Sequence, residues 1–317
     1  MIGPELISIL RCPKSRQVLK LVGNTLITSD GNYKYHVENG IPRFVPKNNY
    51  ADNFGIQWNY YSKTQLDSYS GHSISADRFW KATGWNENEL KDKWVLDVGC
   101  GSGRFAEIAL NAGAKVIALD YSSAVDACKN NFQNHPNLFL IQGDIYELPI
   151  KFELFSFIYS LGVLQHTPDP RKAFSSLPDF LEPKGKICVD YYEKSLKSIL
   201  LPKYWLRPIT KRVSNEKLFN FLKIIIPFLL SLSVLINKIP VIGKNLKRII
   251  PVANYHGILP LDEKQHLEWS LLDTFDWLSP EHDHPQNSKT IKQWMKDANL
   301  QEIEVLKAGH LVSRGKK

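Results

Sequence analysis

Paired cysteines are missing from this chain. Its four, Cys12, Cys100, Cys128 and Cys188, lie far apart with no C-x-x-C spacing, and Cys100 and Cys188 fall in segments that read as buried. Structural disulfides are therefore not expected, which favours a reducing cytoplasm. The N-terminal MIGPELISILRCPK has no charged start followed by a long apolar core, so no secretory signal is expected. The longest apolar run broken only by serines, Ile224 to Ile236, is thirteen residues, short of the roughly 20 that a membrane span requires. Acids are nearly absent from Lys194 to Arg248, where twelve basic residues face Glu216 alone. That stretch carries +11 of a net +8, leaving −3 for the rest, so the basicity belongs to one segment rather than to a nucleic-acid-binding core. With 43% apolar and 11% aromatic residues, the 317-residue chain can bury one large core or two and is not disordered.

Glycine is concentrated where it matters. Val95 to Phe105 reads VLDVGCGSGRF, a short apolar run with β-branched residues that stops at Gly99, Gly101 and Gly103. The pattern predicts a buried parallel strand turning sharply into a helix over about 105–112, with N–H groups free to meet a ligand. Lys115 to Asp120, KVIALD, predicts the next strand and ends on a carboxylate seventeen positions after Gly103, where an acid can accept ribose hydroxyls. A dinucleotide loop would require glycine at the sixth position from Gly99, but Arg104 stands there.

The D-x-G-x-G-x-G motif formed by Asp97, Gly99, Gly101 and Gly103 resembles the first motif of class I, Rossmann-like, S-adenosylmethionine-dependent methyltransferases. Three further segments resemble that family in order: GDIYELP (143–149), FSFIYSLGVLQHTPDP (155–170) and PKGKICVDYY (183–192). The resemblance covers about Trp94 to Asp190. It implies an α/β fold with a Rossmann-like methyltransferase sheet and an antiparallel C-terminal hairpin, and S-adenosylmethionine as cofactor. It assigns cofactor contacts to Asp97, Gly99, Gly101, Gly103, Asp120, Asp144, Ile145 and Leu161.

Around this core (94–192) the sequence divides into four other parts. Residues 1–46 resemble a zinc-ribbon-like module, but Cys12 has Ser15 at its partner position and no cysteine occurs near Ser29 to Tyr33. A tetrahedral site requires about four ligands, so a metal-free β module is expected. Residues 47–93 resemble the helices that cover the cofactor in this family, with Gln57, Gln65, Asp67 and Arg78 as candidates for the methionine carboxylate or ribose; the aromatics there could equally cement two modules. Residues 193–286 form a basic, apolar, helical insertion, read as a lid, a buried helical pair or an interfacial helix. Residues 287–317 supply the last helix and two strands joined near Ala308 and Gly309.

Methyl transfer from a sulfonium depends mainly on alignment, with a base required only where the nucleophile must lose a proton. His166, in the loop after the fourth strand, is the candidate base, with loop shaping as its alternative role. Tyr191, Tyr255, His256, His282 and His284 are candidate substrate contacts, though Tyr192 and Trp269 could serve as well and each tyrosine could be core. His282-x-His284 lacks a third ligand, so no metal is expected. The fourth-strand loop, SLGVLQH, has neither the N/D-P-P-Y/F of amino-nitrogen methyltransferases nor a Pro-Cys. Small metabolites, sugars, quinones and lipid-linked glycans remain as acceptors, with O-methylation the expected reaction. An RNA methyltransferase is the alternative, and a non-catalytic cofactor- or partner-binding subunit the third reading. Location is expected to be cytoplasmic, with peripheral membrane contact through 194–250.

Overall fold

The computed structural model describes residues 2–46, 49–133, 135–194, 202–239 and 249–317. A first helix, α1 (Pro4–Ile9), leads into an antiparallel meander of β1 (Leu19–Val22), β2 (Thr25–Thr28), β3 (Lys34–Glu38) and β4 (Ile41–Pro42). Four such short strands enclose too little apolar surface to stand alone. Leu6, Ile9, Leu10, Cys12, Leu19 and Leu26 accordingly join the same buried cluster as Leu96, Ile117 and Ile158 of the large sheet. The Arg16 guanidinium donates to the carbonyls of Leu148 and Ile150, at 2.6 and 2.5 Å. The N-terminal strands thus form a separate sheet that shares its buried cluster with the large one.

Four helices follow, α2 (Asp52–Tyr60), α3 (Asp67–Ser70), α4 (Ile74–Thr83) and α5 (Glu87–Leu90). The core then alternates as β5 (Trp94–Val98), α6 (Arg104–Asn111), β6 (Lys115–Asp120), α7 (Ala124–Phe132), β7 (Leu138–Gln142), β8 (Phe155–Ser160), α8 (Pro170–Ser175) and β9 (Leu181–Tyr191). The insertion contributes α9 (Pro202–Thr210), α10 (Asn215–Asn237) and α11 (Glu263–Leu278); α12 (Ser288–Asp297), β10 (Gln301–Ala308) and β11 (His310–Lys316) complete the chain. The large sheet has the order β10-β11-β9-β8-β5-β6-β7. Strands β5 to β9 pair in parallel, and β11 runs antiparallel to both neighbours. Because β6 and β7 lie on one side of β5 and β8 on the other, the strand order reverses beside β5, which opens a crevice at the carboxyl edge.

The insertion departs from expectation in one element. Helix α10 runs unbroken through Pro227 for 23 residues, and its most apolar stretch reaches a mean hydropathy of 2.2, so by length and composition it could cross a membrane. One face is packed: Leu218, Phe219, Leu222, Ile226 and Leu230 meet Leu271, Phe275 and Leu278 of α11. Of the twelve basic residues in 194–248, Lys197, Lys244, Lys247 and Arg248 lie outside the described residues.

Candidate functional site

A cavity of about 1030 Å³ opens at the carboxyl edge, between the β5 loop on one side and α2, α4 and the insertion on the other. All three glycines of the loop have positive φ, +79° at Gly99, +52° at Gly101 and +95° at Gly103, a region that side chains avoid. Their close neighbours differ. A Cβ at Gly99 would lie 2.4 Å from Val163 and one at Gly103 2.3 Å from Phe132, so those two glycines admit protein. At Gly101 a Cβ would meet the Trp58 ring at 3.1 Å; this ring lies over the loop and lines the cavity.

Asp120 lies on the cavity wall, nine-tenths buried. Its Oδ2 accepts from Gly101 N at 2.9 Å, and its Oδ1 accepts from Ser122 N at 2.9 Å and Ser122 Oγ at 2.7 Å. Burial raises its carboxyl above the usual range, against the pull of these donors. The Tyr121 N–H also acts on this carboxylate. Of these donors the Ser122 hydroxyl can rotate away, which leaves a position that a ribose hydroxyl can take. Gly99, Gly101, Ile145 and Leu161 also line the cavity.

The remaining expected cofactor contacts are placed differently. Gly103 sits behind the loop against Phe132 and Cys128. Asp97 is in the sheet, 2% exposed, with its Oδ2 unpartnered and away from the cavity. Burial pushes its carboxyl up to about 8, although the Tyr159 hydroxyl nearby opposes the shift. Asp144 is off the lining as well; its side chain accepts from Tyr146 N at 2.9 Å and caps a 3₁₀ turn. Asp67 accepts from Ser75 N and Ala76 N, both at 2.8 Å, and starts α4 rather than meeting a ligand. Gln65 reaches the cavity but is engaged with Arg104 and Asp273. Arg78 reaches it while paired to Asp190 at 2.8 Å. Gln57 lines it with a buried Oε1 that has no partner, an acceptor awaiting a donor such as a ligand ammonium.

His166 lies on the same wall, flanked by the rings of Phe54 and Tyr192. Its Nδ1 is 3.0 Å from the carbonyl of His282, and its Nε2 is buried with no partner. A carbonyl only accepts, so Nδ1 carries a proton, and in the neutral imidazole the lone pair is on Nε2.

Only Tyr255 of the five expected substrate contacts lines the cavity. Its hydroxyl bonds Asp273, whose carboxyl burial pushes up to about 6. Tyr191 is turned to the opposite face of the sheet, against Trp294, and Tyr192 lines the cavity instead, donating to Asp276 at 3.1 Å. His256 stacks on His266 away from the cavity. His282 and His284 do not line it either, and no group that could hold a metal ion occurs among the described residues. Their motif is a joint: Asp283 takes Arg207 at 3.0 Å and Lys203 at 3.4 Å from α9, and the His282 carbonyl holds His166. Asp273 and Asp276, three apart on α11, were not among the expected residues; LLDTFDWL carried the spacing but not which face would turn inward.

Residues 96–189 match the methyltransferase domain family. The tRNA U34 carboxymethyltransferase of Ruthia magnifica subsp. Calyptogena magnifica is 33% identical over 106 residues, 32% of this chain and 33% of that protein. The ubiquinone biosynthesis O-methyltransferase of Coxiella burnetii (strain Dugway 5J108-111) is 34% identical over 113 residues, 35% of this chain and 48% of that protein. The chain thus spans a third to about half of the length of these curated relatives. The solved human N-acetylserotonin methyltransferase in complex with SAM superposes with a TM-score of 0.46 at 12% identity, over 83% of this chain and 56% of that one. Residues 96–189 are thus a methyltransferase domain of the class I, Rossmann-like, S-adenosylmethionine-dependent kind.

Proposed function

We propose that this protein methylates an oxygen of a small-molecule, sugar or lipid-linked acceptor, with His166 as the base that takes the hydroxyl proton. The carrying observation is the placement of His166, a residue of the cavity lining whose Nδ1 is held by the His282 carbonyl and whose buried Nε2 has no partner in the protein. When bound, S-adenosylmethionine supplies a methyl group on a sulfonium, a good leaving group. Asp120 holds the ribose, and the Gln57 oxygen suits the methionine ammonium. Tyr255, Asp273, Tyr192 and Asp276 give the acceptor end polar groups for hydroxyls, while Val252, Ile258, Leu259 and Leu272 give it an apolar wall. That mixture suits a polar head joined to an apolar body. The four cysteines are buried free thiols, in keeping with a cytoplasmic location.

An RNA acceptor is the competing reading, favoured by the tRNA-modifying relative and opposed by the −3 charge of the chain outside residues 194–248. The test incubates the full chain with labelled S-adenosylmethionine and separate aqueous, lipid and RNA extracts of cells lacking the gene. Label is expected in the aqueous or lipid fraction; label confined to RNA overturns the reading. On the acceptor so found, His166→Ala should lower kcat by roughly 10²- to 10⁴-fold with cofactor affinity unchanged. Full turnover by that variant would leave His166 as a loop-shaping residue.

A further inference from the structure

Helix α10 carries two opposed apolar faces, and the described residues of the chain cover only one. The inward face packs on α11, and its Ser233 lines the cavity. Phe221, Ile224, Phe228 and Leu235 recur at helical spacing on the opposite side, with Ile224 80% and Phe228 64% exposed. Only 28% of the most apolar stretch is buried, whereas the core helix of a globular protein would be mostly covered. The outward stripe is about 21 Å long. Lys217 and Lys238, each about one turn beyond an end of it, are exposed and pair with no carboxylate among the described residues. Arg212 is exposed on the turn before α10, and Ile209 is exposed on α9.

We infer that this face docks in the plane of an anionic lipid bilayer. Charge complementarity selects this occupant: an apolar stripe with lysines at both ends, in a segment of +11 with a single acid, matches an acyl boundary beneath negative headgroups. A protein partner would have to supply an apolar groove and acids at both ends. The helix lies in the interface rather than across it, because its other face is fastened to α11 and cannot be surrounded by lipid. The contact also fits the site. Ile250 and Val252 line the cavity and pack in the apolar cluster of this helix, so a lipid-linked acceptor can enter from the bilayer with its apolar part against them. The docking itself goes beyond the proposed O-methylation and does not require it.

The test is flotation of the full chain with vesicles of phosphatidylcholine alone or with phosphatidylglycerol, at low and high salt. Calorimetric binding of S-adenosylmethionine is measured on the same preparation, so that loss of docking is read separately from loss of the methyltransferase reading. The wild type should float with the phosphatidylglycerol vesicles, and less at high salt. Ile224→Glu with Phe228→Glu should weaken partitioning at least about tenfold, and each of Lys217→Gln and Lys238→Gln about fivefold, all with cofactor binding retained. No flotation by the wild type, or equal flotation by the double-glutamate variant, overturns the inference. So does a wild-type dimer in solution that the double-glutamate variant splits without any vesicle binding, since a second copy would then cover the face.

Discussion

Asp120 offers the sharpest perturbation, because its carboxylate has two duties that can be measured apart. It holds Gly101 N and Ser122 N, each at 2.9 Å, and so shapes the glycine loop from below. Its remaining capacity faces the cavity. Asp120→Ala would strand two buried N–H groups at about 1–3 kcal/mol each, a large share of the roughly 5–15 kcal/mol that holds an ordinary domain folded. Asp120→Asn is the better probe. Its amide oxygen can keep Ser122 N, while its NH₂ is set against Gly101 N, donor against donor. One stranded donor gives an expected loss of about 1–3 kcal/mol in stability. Loss of the charged acceptor for ribose, about 1.5–3 kcal/mol, lowers cofactor affinity roughly ten- to a hundredfold. Calorimetric titration with S-adenosylmethionine and with its demethylated product reads the second effect, and thermal unfolding without ligand reads the first. An unfolding temperature close to the wild type together with an unchanged Kd would refute both roles.

Two other outcomes follow from buried groups. Asp97 is held protonated in the fold up to about pH 8 but titrates near 3.8 when exposed. Folding therefore retains a proton that unfolding releases, and stability falls as pH rises between about 4 and about 8. Asp97→Asn cannot titrate, so denaturant midpoints across that range should flatten relative to the wild type; identical slopes would contradict the assignment. In the N-terminal module the Cys12 thiol meets the Tyr35 hydroxyl at 3.2 Å and Ser15 N at 3.4 Å, contacts a metal would otherwise take. Elemental analysis of the full chain is expected to find no stoichiometric zinc, and one zinc per chain would overturn this reading.

The sequence alone determined the strand, turn and helix at 95–111, because three glycines at alternate positions after a β-branched run allow the chain little else. It also determined the carboxylate at the end of β6 and the hairpin turning at Gly309, features set within a few residues of chain. Tertiary structure decided which face each candidate presents. Tyr191 and Tyr192 are adjacent in a strand and so point to opposite faces; only the packing of α12, with Trp294 over Tyr191, assigned Tyr192 to the cavity. The HDH motif drew notice for its imidazoles, yet it acts through a main-chain carbonyl on His166 and a carboxylate fastened by α9, contacts more than 70 residues apart in the chain. Asp97 stands in the same motif as Gly101, but a buried strand kept it from the cavity that the turn reaches. Chemistry carried by backbone conformation is local and can be read from the chain, whereas chemistry carried by side-chain direction depends on what packs behind it.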